Sequence, residues 1–340
     1  MERLDDNAPL FSVVVPVYNR NAEVADLLTS LSRQSRPDLF EVIIVEDGST
    51  LPCTDAVERC GKGLRLKYFH KSNEGRSIAR NYGVERSEGQ WLIFFDSDCV
   101  IPERYFEIVE RELRGNPVDC FGGPDAAHAS FSPVQKAINF AMTSFLTTGG
   151  IRGGKVSMEK FTPRSFNMGM LRSVFDSIGG FREMFSEDID ISMRVRNGGY
   201  STALFTDAGV YHKRRIDFKK FFRQVYVFGM SRITLKLLYP GSLKPVHALP
   251  AVAVVAGMIC VALGIFLSPL WLLPIGVYLA MIFCSALIST RSLKIAILAV
   301  PASVIQIAGY GCGFLKAWFT KIVLRRGRNI NEEIEIRRGK

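Results

Sequence analysis

Between Pro245 and Thr290 the sequence has no Asp, Glu, Lys or Arg, and a second uncharged run covers Ile295 to Leu315. Buried helices of an aqueous core do not need uncharged runs of that length. They match the ~20 residues that cross a bilayer. The expected spans are about 249–268, 270–290 and 295–315, the first two separated by Ser268-Pro269. The third carries Pro301 and Gln306, so it is either kinked or only partly inserted, which leaves two to three transmembrane segments. The first ten residues, MERLDDNAPL, lack the basic and apolar regions of a signal peptide, so the first 240 or so residues are expected to stay where they are made.

Other absences narrow the chemistry. No GxGxxG follows the first apolar run, which removes the main support for a dinucleotide fold. GGIRGGK (149–155) has the glycine–glycine–lysine spacing of a P-loop, but Val156 stands where a magnesium-binding hydroxyl is required. It reads instead as a glycine-rich loop near the site. None of the seven cysteines forms a CxxC pair, as expected of reduced, mostly buried thiols in a cytosolic setting. The net charge of +10 is concentrated beside the apolar segments. Nine Lys or Arg against one Asp fill 213–244, and eight more basic residues follow from Lys316 onward. Attraction to anionic lipid head groups explains that placement better than nucleic acid does. A basic flank before the first span is the signature of a cytoplasmic face, yet three full spans would put the basic tail outside. Either the third segment lies in the interface or re-enters, or the topology is frustrated.

The polar part of the chain alternates strand and helix. Ser12–Val17, Glu41–Val45, Leu66–His70 and Gln90–Phe95 read as strands, and 21–33 and 75–87 as helices. Such alternation builds an α/β fold with a mostly parallel sheet, whose ligands sit outside the carboxyl ends of the strands. Polar residues collect there: Tyr18-Asn19 after the first strand, Glu46-Asp47-Gly48-Ser49 after the second, Asp96-Ser97-Asp98 after the fourth.

Taken in order, VVVPVYNR (13–20), IIVEDGST (43–50), NEGRSIARNYG (73–83), FFDSDCVIP (94–102), GGFREMFSEDIDISMRVRNGGY (179–200) and VYH (210–212) resemble the inverting family 2 glycosyltransferases with a GT-A (Rossmann-like) fold. The resemblance covers roughly residues 10 to 235. The apolar tail, with YGCGFLKAW at 310–318, is similar to that of membrane-anchored bacterial members that build surface polysaccharides or lipid-linked glycans. The implied organisation is a catalytic domain over 1–212, a basic and aromatic interfacial linker over 213–244, transmembrane segments within 245–319 and a basic tail over 320–340. Phe218, Phe221, Phe222, Val225 and Phe228 in that linker suit an amphipathic helix on a membrane surface, and suit ordinary core packing equally.

The resemblance also implies a role for each motif. A leaving diphosphate carries negative charge that a hard divalent cation, Mg²⁺ or Mn²⁺, neutralises through oxygen ligands. Asp98 is the expected direct ligand, with Asp96 on the metal or the ribose. Standing at i and i+2, the two would point the same way on a continuing strand. His212 either completes the metal site or is a satisfied interfacial histidine. Pro16, Tyr18, Asp47, Arg80, Asp96 and Ser97 are expected around the donor nucleotide, with a solvated helix arginine as the alternative for Arg80. Glu46-Asp47 departs mildly from the two aspartates more usual there. In SEDID, Asp188 is the expected general base, against the alternative of a helix cap. Asn167, Glu187 and Arg223 are expected toward the acceptor, with Glu187 orienting either the acceptor or supporting groups.

These expectations describe a multi-pass inner-membrane enzyme with a cytoplasmic catalytic domain. It would move a sugar from a nucleotide donor, UDP-linked by expectation, onto a lipid-linked sugar or growing polysaccharide. Two rivals are a polyprenyl-phosphate sugar synthase, whose anionic acceptor needs no base, and a non-catalytic membrane scaffold or sugar-nucleotide sensor.

Overall fold

The computed structural model describes residues 8–126, 131–149, 161–213 and 217–326; most of the glycine-rich GGIRGGK and the tail after 326 lie outside the described residues. The elements run β1 (Phe11–Val17), α1 (Asn21–Leu31), β2 (Phe40–Asp47), α2 (Thr54–Cys60), β3 (Leu66–Lys71), α3 (Arg76–Val84), β4 (Trp91–Phe95) and β5 (Cys99–Val100). Then follow α4 (Tyr105–Gly115), β6 (Cys120–Gly122), β7 (Asp125–Ala126), α5 (Pro133–Thr143), α6 (Phe145–Thr148), β8 (Asn167–Leu171), α7 (Arg172–Ile178) and α8 (Glu187–Asn197). The chain continues through β9 (Thr202–Leu204), β10 (Val210–His212), α9 (Phe218–Leu238), α10 (Pro245–Phe266), α11 (Leu273–Thr290) and α12 (Leu293–Ala317).

Two units result, Met1–Ala126 with Phe161–Lys213, and Ala127–Lys160 with Arg214–Lys340. The catalytic span expected over 1–212 is therefore interrupted. The reason is local: α5 buries Ala137, Ile138 and Ala141 in one cluster with Phe221, Val225, Ile282 and the alanines of α12.

In the first unit seven strands are ordered β3-β2-β1-β4-β8-β6-β9, and a separate three-stranded sheet is ordered β5-β10-β7. β1 pairs in parallel with β2 and β4, and β2 with β3, while β8 runs antiparallel to both β4 and β6. Alternation along β1 splits the core as a pleated strand must. Val13, Val15 and Val17 face Val24, Leu27 and Leu28 of α1 and Phe106 of α4, whereas Val14 faces Ala79 of α3 and Ile191 of α8. Helices on both faces explain why the central strands read as unbroken apolar runs. The expected strand positions hold to within two residues, and the expected 75–87 helix is shorter, at Arg76–Val84.

The second unit is helical. Its stretches Pro245–Phe266, Pro269–Thr290 and Leu293–Val323 are each long and apolar enough to cross a membrane, and the third buries far more of itself against protein than the other two.

Candidate active site

The parallel strands β1, β2 and β4 deliver their polar tips to one edge of the sheet, and cross-links there are dense. Asn19, in the left-handed region just beyond β1, accepts from Thr50 N at 2.9 Å and Leu51 N at 3.3 Å, tying the first tip to the second. Gly48 also has positive φ, and a Cβ there would strike the backbone of Asn73. Asp47 at the end of β2 accepts from Lys71 Nζ at 2.9 Å, Glu74 N at 3.0 Å and Gly75 N at 2.8 Å. Its carboxylate thus shapes the loop that leads into α3. Glu46 is turned inward, bonded by Ser49, by Cys53 N and by Tyr68 Oη.

β4 stops at Phe95, so Asp96 and Asp98 do not lie on a continuing strand; Ser97, buried, sits between them in a turn closed by Cys99 N donating to Asp96 O at 3.1 Å. The short sheet then supplies what the turn lacks. β10 pairs antiparallel with β5, placing His212 opposite Cys99, and parallel with β7. His212 Nε2 comes to 3.0 Å from Asp98 Oδ1 and 3.9 Å from Asp96 Oδ2, while Nδ1 is 3.9 Å from Asp125 Oδ2. Phe166 stacks on the imidazole with centroids 5.0 Å apart. Burial opposes a charged imidazole, but the carboxylates of Asp98, Asp125 and Asp96 outweigh it and push the pKa of His212 up to about 9.

Ligand atoms of Asp98, Cys99 and His212 all lie within 4.8 Å of one another. Cys99 is a poor member of that set. Burial, helped by the nearby aspartates, drives its thiol pKa far upward, and Sγ faces Phe166 O at 3.5 Å. Asp98 and His212, joined by Asp96 with Oδ2 3.9 Å from His212 Nε2, offer two carboxylates and one imidazole, a donor set that fits a hard divalent cation.

The other half of the site is α8. Ser186 precedes it in the left-handed region, and Glu187, Asp188 and Asp190 fill the first turn, where carboxylates suit the helix dipole. Asp190 is buried and committed to Arg194 at 2.7 Å. Asp188 is partly open, with Arg164 Nη1 3.4 Å from Oδ2. Glu187 is buried: Arg80 donates to Oε1 at 2.9 Å and Arg76 to Oε2 at 2.6 Å. Arg80 is not a solvated helix arginine. It is fully buried, its guanidinium lies over Phe181 at 5.1 Å, and its second arm reaches Asp96 Oδ1 at 2.7 Å. One buried cation therefore joins the turn of the aspartates to the helix of Asp188. Arg76 is half exposed, and Glu187, then Asp96 and Asp188, hold it charged.

Not every expected residue falls at this edge in a form that fits its expected task. Asn167, expected to line the acceptor side, is wholly buried; it accepts from Tyr105 Oη at 2.5 Å and donates to Ala208 O at 2.8 Å, so its amide is consumed in tying β8 to α4 and to the turn before β10. Arg223 is exposed on α9, in the other unit. Pro16 is part-buried within β1 and Tyr18 is half exposed just past it. Sequence reasoning passed over Asp125, Arg76, Arg164 and Phe166. Arg76 stands inside a motif already singled out, whereas nothing in the local sequence around Asp125 or Arg164 points to His212 or Asp188.

Residues 12–179 match the model for "Glycosyl transferase family 2". An uncharacterized glycosyltransferase of Rickettsia bellii is 42% identical over 105 residues, 31% of this chain and 15% of that protein. Glycosyltransferase AglE of Haloferax volcanii is 24% identical over 256 residues, 71% of this chain and 79% of that one. Among relatives matched at 30% identity or more, the chain spans between 15% and 36% of their lengths. Among solved structures, mannosyltransferase PcManGT from Pyrobaculum calidifontis, in complex with GDP-Man and Mn2+, overlays with a TM-score of 0.58 at 17% identity, covering 92% of this chain and 88% of that one. The mostly parallel sheet with helices on both faces is thus a GT-A fold. The chain carries a glycosyltransferase family 2 domain.

Proposed function

We propose that this chain is an inverting glycosyltransferase that moves a sugar from a nucleotide donor onto a hydroxyl of a lipid-linked sugar or growing polysaccharide at the cytoplasmic membrane face. One observation carries the reading: Asp188 at the head of α8 and the Asp96/Asp98/His212 cluster are joined through the buried Arg80–Glu187 pair. A proton acceptor and a cation cradle are thereby held on one rigid support.

Asp98, Asp96 and His212 would hold Mg²⁺ or Mn²⁺, which supplies charge neutralisation of the leaving diphosphate. The chain's own groups do the rest. The exposed ring of Tyr18 and the loop shaped by Asp47 border the place for the nucleoside. Asp188 takes the proton of the acceptor hydroxyl as its oxygen bonds to the anomeric carbon and the bond to the diphosphate breaks. Displacement from the opposite side inverts the configuration. Arg164, 3.4 Å from Asp188 Oδ2, holds that carboxylate in place.

The test uses membranes containing the full chain, incubated with labelled UDP- and GDP-linked sugars and with either a lipid-linked oligosaccharide or polyprenyl phosphate. GDP-linked donors are included because PcManGT is seen with GDP-Man. Transfer to the oligosaccharide that depends on Mn²⁺ or Mg²⁺ and is lost in Asp188→Asn supports the proposal. Near-normal turnover by Asp188→Asn, or transfer only to polyprenyl phosphate, rejects it. Nucleotide binding without any transfer would favour the sensor.

A further inference from the structure

α9 and α12 lie side by side and run the same way. A Cβ at Gly309 would meet Val225 and Phe222, while one at Gly313 would strike Tyr226 O and one at Gly229 would strike Tyr310 O. Further along, Lys321 Nζ donates to Thr234 Oγ1 at 2.8 Å. The contacts advance together on both helices, from Phe222 to Thr234 on one and from Gly309 to Lys321 on the other. The seam is therefore parallel and about 18 Å long at 1.5 Å per residue.

α9 carries Lys219, Lys220, Arg223, Arg232 and Lys236, and no Asp or Glu occurs anywhere from Phe218 to Arg326. Lys219 and Arg223 are exposed. Were α12 to cross a bilayer, the seam would take Arg223 and Arg232 through hydrocarbon with no acidic partner on any helix of the bundle. Cations at that depth are costly and are normally paired.

α10 and α11 are placed differently. The buried residues of α10 are His247 and Ala251, in its first two turns; those of α11 are Ile282 and Ala286, toward its end. The foot of α10 rests on the C-terminal half of α12, where Gly311 faces Pro250 O and Val254. The foot of α11 packs with Ala296, Ala299 and Ala302 in its N-terminal half. Beyond the feet the two helices stand clear of protein. Met258, Ile265, Phe266, Leu267, Leu270 and Leu273 are all at least 59% exposed. With 22 and 18 residues, α10 and α11 are about 33 and 27 Å long, close to the ~30 Å hydrocarbon thickness.

We infer that α10 and α11 are the two membrane spans, and that α12 does not cross but lies with α9 in the headgroup layer, against anionic lipid. The exposed stripe of α12, which includes Ile297, Pro301, Val304 and Cys312, then faces the acyl chains while the cations of α9 meet lipid phosphates. The chain after Ala317 returns to the membrane face it left at Pro245. The nine basic residues of 213–244 and the eight from Lys316 onward then share one side, which removes the conflict with the positive-inside rule.

The full chain, expressed with epitope tags at the N-terminus, after Ser268 and at the C-terminus, is probed with protease in sealed right-side-out and inside-out vesicles. The two terminal tags are expected to be cut together in inside-out vesicles, and the tag after Ser268 only in right-side-out ones. A Leu270→Cys variant, with Cys260, Cys284 and Cys312 changed to serine, reads the tip by impermeant maleimide without an insertion. A C-terminal tag cut together with the Ser268 tag overturns the inference, because α12 then crosses. All three sites on one face overturn it too, because α10 and α11 then do not.

Discussion

Arg80 offers the sharpest test of how the site is held together. Its guanidinium is fully buried, 2.7 Å from Asp96 Oδ1 and 2.9 Å from Glu187 Oε1. Arg80→Met keeps the length and apolar stem of the side chain but removes both charge-assisted bonds. Glu187, itself only 1% exposed, would be left to Arg76 alone. Removing one partner of a buried pair costs about 3–5 kcal/mol, because the remaining charge has lost its compensation. For a unit of this size that lowers Tm by roughly 6–20 °C. Differential scanning calorimetry of the purified full chain in detergent measures it. Glu187→Gln in the Arg80→Met background should add less than it does alone, with a coupling of about 1–3 kcal/mol, since the variants remove the same pair. Arg36→Ala is the control: Arg36 pairs with Asp38 and Glu110 at the surface, at 2.8 and 2.9 Å, and its loss costs about 1 kcal/mol or less. A Tm change for Arg80→Met no larger than that of Arg36→Ala would refute the argument that this arginine is the strut between the two halves of the site.

Other outcomes follow from the same geometry. Asp188→Asn should lower turnover by about 10²–10⁴-fold, as loss of a general base does, with donor-nucleotide affinity by calorimetry unchanged. In chelator-treated protein, protonated His212 stabilises the fold fully below its ordinary pKa of 6.5, and that contribution fades as pH rises through about 9. The loss is on the order of 3 kcal/mol between pH 6 and 10; a Tm-against-pH series shows it, and His212→Gln should flatten the curve. Asn167→Ala strands Tyr105 Oη and Ala208 O, costing about 1–3 kcal/mol in thermal stability while leaving donor KM near its original value.

The glycosyltransferase sheet was legible because its strands are buried on both faces and interrupted by amphipathic helices, a pattern set by local spacing alone. The aspartate turn and the acidic head of α8 were legible for a related reason: residue type and order carry that chemistry. How those groups are supported was not. Arg80 reads as any helix arginine until Asp96, 16 residues on, and the stretch holding Phe181 and Glu187, the latter 107 residues on, close around it. Asp125 becomes a neighbour of His212 only because two- and three-residue strands pair, and runs that short leave no periodic signal. The burial of Asn167 was hidden for the same reason, since Tyr105 and Ala208 lie 62 and 41 residues away in the chain.

The membrane segments divide along the same line. Composition alone determined that three stretches are apolar enough to cross a bilayer, because transfer of uncharged side chains into hydrocarbon depends only on length and residue type. What tertiary packing adds is the difference between them: the third buries far more of itself against protein than the other two. α12 is packed along a helix that carries five cations, and in the proposed topology that pairing keeps both in the headgroups, because unpaired cations are costly in hydrocarbon.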